Sequence, residues 1–346
     1  MKKVLILFGG VSSEHEVSLV SAAGVLANID RSKYGVIPVG ITKDGKWRLM
    51  EGREITEDAL SDESLPAVAV DPGRHGIIIL SDGKADFVKI DAVFPVMHGA
   101  NGEDGTMQGL FAIAGIPCVG PDCEASAIGM DKAATKAVLN QAGILQAEAV
   151  VLTRDEIHNE GTVALLEEKL GYPMFVKPSR AGSSVGISKV KSRSELMPAL
   201  EDAAAHDSKL LIEKSIVGRE IEVAVLEENG KLTVSAPAEI DPGAEFYDYD
   251  AKYNTDTSSF YIPARVSDAE AEDVRNIAAR IFTILGCSGL SRVDFFILPD
   301  GKFVFNEINT LPGFTPISMY PKLMQHAGLS YTELITRLIE GAIKAK

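Results

Sequence analysis

Phe175-Val176-Lys177-Pro178-Ser179-Arg180-Ala181-Gly182-Ser183-Ser184-Val185-Gly186 ends an apolar run on a lysine and continues it with a loop of small residues. Glycine and serine let backbone N–H groups approach an oxyanion closely, and Lys177 adds a fixed positive charge. A Walker A loop is excluded, because there the lysine follows the glycines and a helix opens directly after it. Taken by itself the segment is either a phosphate cradle or a flexible hairpin tip. The flanking residues, 173–177 and 187–190, read as strands, so the loop joins two strands of an α+β unit.

Downstream, Asp294 lies in an apolar strand pattern at 291–298, and Glu307 and Asn309 end the next one. Residues two apart on a strand face the same side, so Glu307 and Asn309 point together. Large apolar neighbours, Val293, Phe295, Phe296, Phe305 and Ile308, argue against a solvated face. A buried carboxylate is costly unless it meets a cation, so a metal ion or a salt bridge is expected there. Magnesium prefers such hard oxygen ligands. Lys132, Lys177, Lys214, Lys252 and Arg292 fall near expected strand ends, loops or helix starts. Each alone reads as a surface cation; together with the acids and the loop they read as a site for a polyanion.

Around this centre the chain divides into three expected units. Residues 1–124 alternate strands (4–8, 36–41, 92–97) with helical patterns, a Rossmann-like βαβ region with a parallel sheet. Ser13 and Glu16 have the spacing of a capping box for the first helix. Residues 51–89 read only as irregular or edge structure. Residues 125–213 read as an α+β module opening with a helix at 131–142, and residues 214–346 as a second one, with strands at 221–226, 233–240 and 260–262. A polar, tyrosine-bearing loop at 245–259 interrupts the latter.

Composition narrows the function. The 346 residues carry 49 acidic and 34 basic side chains, a net charge of −15, which repels nucleic acid and anionic lipid. Neither is an expected partner. Three cysteines without a CxxC pair fit a reducing compartment rather than a disulfide scaffold or structural zinc. The apolar run at 4–8 stops at Gly9-Gly10, too short for a secretory signal, and no stretch is long enough to span a membrane. A cytoplasmic protein is expected. Phe8-Gly9-Gly10 lacks the third glycine of a dinucleotide fingerprint, which argues against a nicotinamide dehydrogenase.

Taken in order, further segments resemble the D-alanine–D-alanine ligases of the ATP-grasp superfamily. They are Gly9-Gly10 through Ser13-Glu14-His15-Glu16-Val17-Ser18, and His98-Gly99 through Gly102-Glu103-Asp104-Gly105. Lys177-Pro178 through Gly186, Tyr247 through Tyr253, Ser291 through Asp294, and Asn306 through Thr315 complete the series. Alone, the His98 segment is a turn-rich βα loop; the order of all of them carries the resemblance. It implies an ATP-grasp fold, α/β and α+β, with an N-terminal Rossmann-like domain. ATP would lie between two antiparallel sheets, contacted by Lys132, Lys177 and Lys214. Glu213 and Ile216 would line the adenine pocket and Glu220 would bind ribose. Asp294, Glu307 and Asn309 would hold two Mg²⁺ (or Mn²⁺) ions.

The resemblance further implies a first D-alanine with its ammonium near Glu14 and with His98 close by, phosphorylated by ATP to an acyl phosphate. A second D-alanine would attack it, with Arg292 and the Gly313 N–H stabilising the oxyanion. Loop 245–259 would form a lid, Tyr253 linking to Ser183 and Glu14 and Lys252 reaching phosphate. The product would serve peptidoglycan precursor synthesis, and a homodimer is the family expectation. Related ligases of glycopeptide resistance use D-serine or D-lactate as acceptor. Lys252-Tyr253, His15 after Glu14, and Met319 after Ser318 all favour D-alanine. A carboxylase or amide ligase elsewhere in the superfamily would share the ATP site but neither the Ser13–Glu16 segment nor the lid.

Overall fold

Val4 to Phe8 carry no charge and no exposed surface, and they form the central strand of the parallel part of the first sheet. The computed structural model describes residues 1–183, 185–241 and 259–345. In chain order the first region contains β1 (Lys2–Gly9), α1 (His15–Asn28), β2 (Tyr34–Ile41), β3 (Trp47–Leu49), α2 (Glu57–Leu60), β4 (Ala67–Asp71), β5 (Gly76–Ser81), β6 (Lys84–Lys89), β7 (Ala92–Val96) and α3 (Thr106–Ile113). Its sheet runs β6-β5-β4-β3-β2-β1-β7. The parallel part, β2-β1-β7, is the Rossmann-like core, whereas β3 to β6 are antiparallel. Residues 51–89 are therefore ordered strands and a short helix; β4 to β6 are only five or six residues long, and β6 is mostly open to solvent.

The expected capping box does not form. Glu14 is the N-cap residue of α1 and makes no side-chain cap bond. Glu16 pairs instead with Lys43, and the Ser12 hydroxyl accepts the Glu14 N–H at 3.0 Å while donating to the His98 carbonyl at 2.8 Å. The local motif loses to bonds that fasten the start of α1 to the end of β7.

The second region contains α4 (Cys123–Met130), α5 (Lys132–Gln141), β8 (Ala149–Thr153), α6 (Thr162–Lys169), β9 (Met174–Pro178), β10 (Ser188–Val190), α7 (Arg193–His206) and β11 (Lys209–Lys214). Its antiparallel sheet has the order β10-β9-β11-β8. Met174 and Val176 of β9 bury against Leu166 of α6 and Leu196 and Leu200 of α7. By strand alternation Phe175 and Lys177 face the other way, into the central cleft. Helix α4 was not legible as such, although its N-cap is orthodox: Asp122 accepts the Ala125 N–H at 2.9 Å.

The third region contains β12 (Arg219–Glu228), β13 (Lys231–Val234), β14 (Ala238–Asp241), β15 (Ser259–Tyr261), α8 (Asp268–Ile284), β16 (Leu290–Ile297), β17 (Phe303–Asn309), α9 (Met319–His326) and α10 (Tyr331–Lys344). The sheet runs β15-β14-β12-β16-β17, with β13 on β12. The single strand expected at 233–240 is two, separated by residues 235–237, where the Ser235 hydroxyl accepts the Ala224 N–H at 3.0 Å and Pro237 has no N–H for a ladder. One face of the sheet, Ile221, Val223, Val293 and Phe295, packs on α8 and α5. On the other face Leu226 and Leu290 share a core with α9, α10, α1 and β1. The closing helices thus bind the first sheet to the third. Among the described residues no helix is long and apolar enough to cross a membrane.

Candidate active site

The second and third sheets and the loops after β1 and β7 enclose a cleft of about 850 Å³. Strand register explains its acidic wall. Glu222 on β12 is the partner of Asp294 on β16, and Asp294 is the partner of Glu307 on β17. Three carboxylates therefore lie side by side across three strands, an arrangement that is repulsive without cations. The adjacent row supplies one: Arg292 grips Asp294 with two hydrogen bonds, 2.8 and 2.7 Å, and lies 3.1 Å from Glu222. Burial disfavours its charge, but Asp294 and Glu222 overcome that and hold the guanidinium firmly protonated. Asn309 donates to Asp294 at 3.0 Å. The register shifts between Asp294 and Phe295, which keeps Phe295 and Phe305 in the core while Asp294 and Glu307 face the cleft.

Among the described residues no group of three histidine, cysteine, aspartate or glutamate side chains closes on one point. Asp294, Glu307 and the Asn309 amide form an incomplete, all-oxygen set, which fits a hard divalent cation that takes its remaining ligands from phosphate and water.

The opposite wall is basic. Lys177 lies 2.6 Å and Lys136 2.7 Å from the carboxylate of Glu213. Glu213 is 6% exposed. Burial alone would raise its pKa, but Lys177 and then Lys136 hold it down to about 2. Lys132, the first residue of α5, donates to the Ala181 carbonyl at 2.8 Å and stands 3.9 Å from Glu307, so it spans both walls. Its place is set by Asp131, the N-cap, which accepts from Ala134 N–H at 3.1 Å and from the Ser179 hydroxyl at 2.7 Å. Ile216 and Glu220 line the cleft near this wall. Lys214 lines it too but is exposed, with Glu148 at 3.5 Å.

At one end of the cleft Glu14, 9% exposed, accepts a hydrogen bond from the Ser183 hydroxyl. A Cβ added to Gly182 would fall 2.6 Å from a Glu14 oxygen, so a larger residue there would have to push that carboxylate aside. His98 is 6% exposed; its Nδ1 lies 3.2 Å from the Leu311 carbonyl and its Nε2 3.2 Å from the Ser21 hydroxyl. Burial lowers its pKa, against the pull of Glu14 and Leu311. Gly313, Ser318 and Met319 complete this end, where Ser318 Oγ accepts the Thr315 N–H at 3.1 Å.

The structure thus brings together Glu14, His98, Lys132, Lys177, Ser183, Glu213, Lys214, Ile216, Glu220, Arg292, Asp294, Glu307, Asn309, Gly313, Ser318 and Met319 around one cleft. Lys252, Tyr253 and the lid expected around them lie outside the described residues. His15 does not line the cleft: its Nδ1 meets the Gly10 carbonyl at 2.7 Å and its Nε2 lies 2.7 Å from Glu57, so any influence on the acceptor is indirect. Sequence reading missed Lys136, Glu222 and Glu103. Glu103 takes the Gly99 N–H at 2.7 Å, and burial, reinforced by the charge of Glu14, raises its pKa well above the carboxylate range. The only signal for it was its position in the His98 segment.

Known proteins match this arrangement along the whole chain. Residues 3–121 match the model described as D-ala D-ala ligase N-terminus, and residues 138–340 the model D-ala D-ala ligase C-terminus. A D-alanine–D-alanine ligase of Caldicellulosiruptor bescii is 47% identical over 99% of this chain and 95% of its own length. Among solved structures, the VanG D-Ala:D-Ser ligase of Enterococcus faecalis is 41% identical, with a TM-score of 0.89 and 99% of each chain covered. The D-alanine–D-alanine ligase of Coxiella burnetii is 34% identical, with a TM-score of 0.86, over 99% of this chain and 94% of that one. The two facing antiparallel sheets are the ATP-grasp fold, preceded by a Rossmann-like domain, and the chain belongs to the D-alanine–D-alanine ligase family.

Proposed function

We propose that this chain joins two D-alanine molecules to D-alanyl-D-alanine at the expense of ATP, through an acyl phosphate, for peptidoglycan precursor synthesis. The observation that carries the reading is the contact of Glu14 with Ser183 in the same cleft as the basic and acidic walls. It brings a carboxylate able to hold an ammonium next to a loop able to hold phosphate.

Lys132 and Lys177 neutralise the triphosphate, while Ile216 and Glu213 line the base and Glu220 the ribose. Two divalent cations, Mg²⁺ or Mn²⁺, held by Asp294, Glu307 and Asn309 would supply charge neutralisation at the phosphates. Glu14 orients the ammonium of the first D-alanine, with neutral His98 beside it. The carboxylate of that D-alanine attacks the γ-phosphorus and ADP leaves. The free amine of the second D-alanine then attacks the acyl carbon, and phosphate departs. Arg292 and the Gly313 N–H stabilise the oxyanion between those events. Lys252 and Tyr253 are assigned on sequence alone, Lys252 to phosphate and Tyr253 to the link with Ser183 and Glu14, in a lid that keeps water from the acyl phosphate. Three units are proposed; the expected breaks after residues 124 and 213 fall just inside α4 and β11.

Met319, 6% exposed, stands in the cleft wall where an arginine would favour another acceptor. The test is product analysis with ATP, Mg²⁺ and D-alanine, then in competition with D-serine and D-lactate. D-Ala–D-Ala as main product, one phosphate per dipeptide, is expected. A mainly mixed product would make the chain a resistance-type ligase, and no product from any D-amino acid would remove the substrate assignment.

A further inference from the structure

The loop after β17 carries Gly313, a residue without a side chain to fix its own peptide planes. Two neighbouring planes are nevertheless held. The Leu311 carbonyl receives a hydrogen bond from His98 Nδ1 at 3.2 Å, and the Phe314 N–H donates to Ser21 Oγ at 3.4 Å. The Phe314 carbonyl accepts from the Tyr331 hydroxyl. The peptide containing the Gly313 N–H lies between these two clamped planes.

Donor logic gives the network one direction. A carbonyl only accepts, so His98 Nδ1 bears the proton, and a neutral ring then presents a lone pair at Nε2. Ser21, at 3.2 Å, donates its single proton to that lone pair and accepts the Phe314 N–H on its oxygen. Ser21 has no exposed surface and Phe314 only 2%, so no water substitutes for either partner. Helix α1 presses on the loop at the same point: a Cβ on Gly24 would come within 3.0 Å of the Phe314 carbonyl and 3.3 Å of the Tyr331 hydroxyl. The Phe314 ring is wedged among Phe94, Tyr320 and Tyr331, with centroids 5.5, 5.8 and 6.1 Å away.

We propose that Ser21, with Tyr331 as its counterpart, is a positioning residue that aims the Gly313 N–H and fixes the tautomer of His98. The proposal rests on the reading in which that N–H stabilises the oxyanion. Neither residue lines the cleft, so neither touches substrate. Their effect falls on the second half-reaction, attack on the acyl phosphate, more than on its formation.

The experiment measures phosphate and dipeptide together in the parent, Ser21→Ala, Ser21→Thr and Tyr331→Phe, with melting temperatures alongside. Misaiming a group by about 1 Å costs on the order of 100-fold, so a 10- to 100-fold fall in kcat is expected for Ser21→Ala. KM for ATP should move less than about twofold, because the nucleotide end is untouched. Phosphate released per dipeptide should rise above one, since an acyl phosphate that waits is lost to water. Ser21→Thr, which keeps the hydroxyl, should recover most of the coupling, and Tyr331→Phe should show a smaller loss of the same kind. Should Ser21→Ala fail to fold, Tyr331→Phe alone decides. Unchanged coupling in a folded variant overturns the proposal while leaving the proposed function intact. A parent that makes no dipeptide overturns both.

Discussion

Glu213 and Glu103 are the same residue type at opposite ends of one cleft, and their carboxyl groups behave in opposite ways. Both lose most of their hydration. Glu213 sits between Lys177 and Lys136, which outweigh burial and hold its pKa near about 2. Glu103 has no cation among the groups acting on it; burial and then the Glu14 charge push it up, and the Gly99 and Leu311 N–H groups offset only part of that. Burial alone therefore does not decide ionisation; the partner does. The ATP end is built from charges that stay charged, and the amino-acid end includes a carboxyl that keeps its proton.

The largest expected effect comes from removing the partner that makes Glu213 different. Lys177→Met leaves Lys136 alone with a buried carboxylate and takes a positive charge from the phosphate site. Activity should fall on the order of 100- to 1,000-fold, and stability by about 2–4 kcal/mol. Steady-state rates and urea unfolding check both, and an effect on rates alone would mean that Lys136 suffices for Glu213.

Arg292→Lys applies the same logic to the third sheet. A lysine cannot grip Asp294 with two bonds and also reach Glu222. A fall of about 10- to 100-fold in kcat is expected, measured at saturating ATP and Mg²⁺; full activity would mean that charge alone matters there.

The acid limb of stability gives the third test. Because the folded pKa of Glu213 is depressed, its contribution is complete above the unfolded value of 4.5 and lost as pH falls toward about 2. That amounts to about 3 kcal/mol. In Glu213→Gln this part of the slope should vanish from melting temperatures taken between those pH values. A slope identical to the parent's would assign the acid sensitivity to other carboxylates.

The last test runs the other way. The folded pKa of Glu103 is raised above its ordinary value of 4.5, so it costs nothing below that pH and destabilises progressively as pH rises from there. Glu103→Gln mimics the protonated acid and keeps an acceptor for the Gly99 N–H. It should match the parent at pH 4 and melt clearly higher at pH 8, the opposite direction to the loss of the Glu213 carboxylate. Equal melting at both would place the proton elsewhere in the Glu14–Glu103 pair.

How much of this was legible depended on whether the signal was local. Asp294 and Glu307 stood out because acids among phenylalanines contradict their surroundings, and alternation alone placed Glu307 with Asn309. Glu222 has the same contradiction, in Ile221-Glu222-Val223, but nothing marks it as the neighbour of Asp294 until β12 pairs with β16. Lys136 lies on a helix with an ordinary polar pattern, and only the docking of α5 brings it to Glu213. The Ser13–Glu16 spacing misled because Ser12 and Glu16 find partners in other elements.

The chain by itself determined its family, the strand-loop-strand at Lys177, the acidic strand ends and the parallel core at Val4 to Phe8, since each is written in contiguous residues whose periodicity or chemistry needs no distant partner. The tertiary structure alone decided which carboxylates are charged, which peptide planes around Gly313 are clamped, and that α9 and α10 bind the first sheet to the third. Those outcomes depend on pairs such as Ser21 with Phe314 and Lys177 with Glu213, far apart in the chain, whose meeting is set by packing and whose energies depend on the water excluded when they meet.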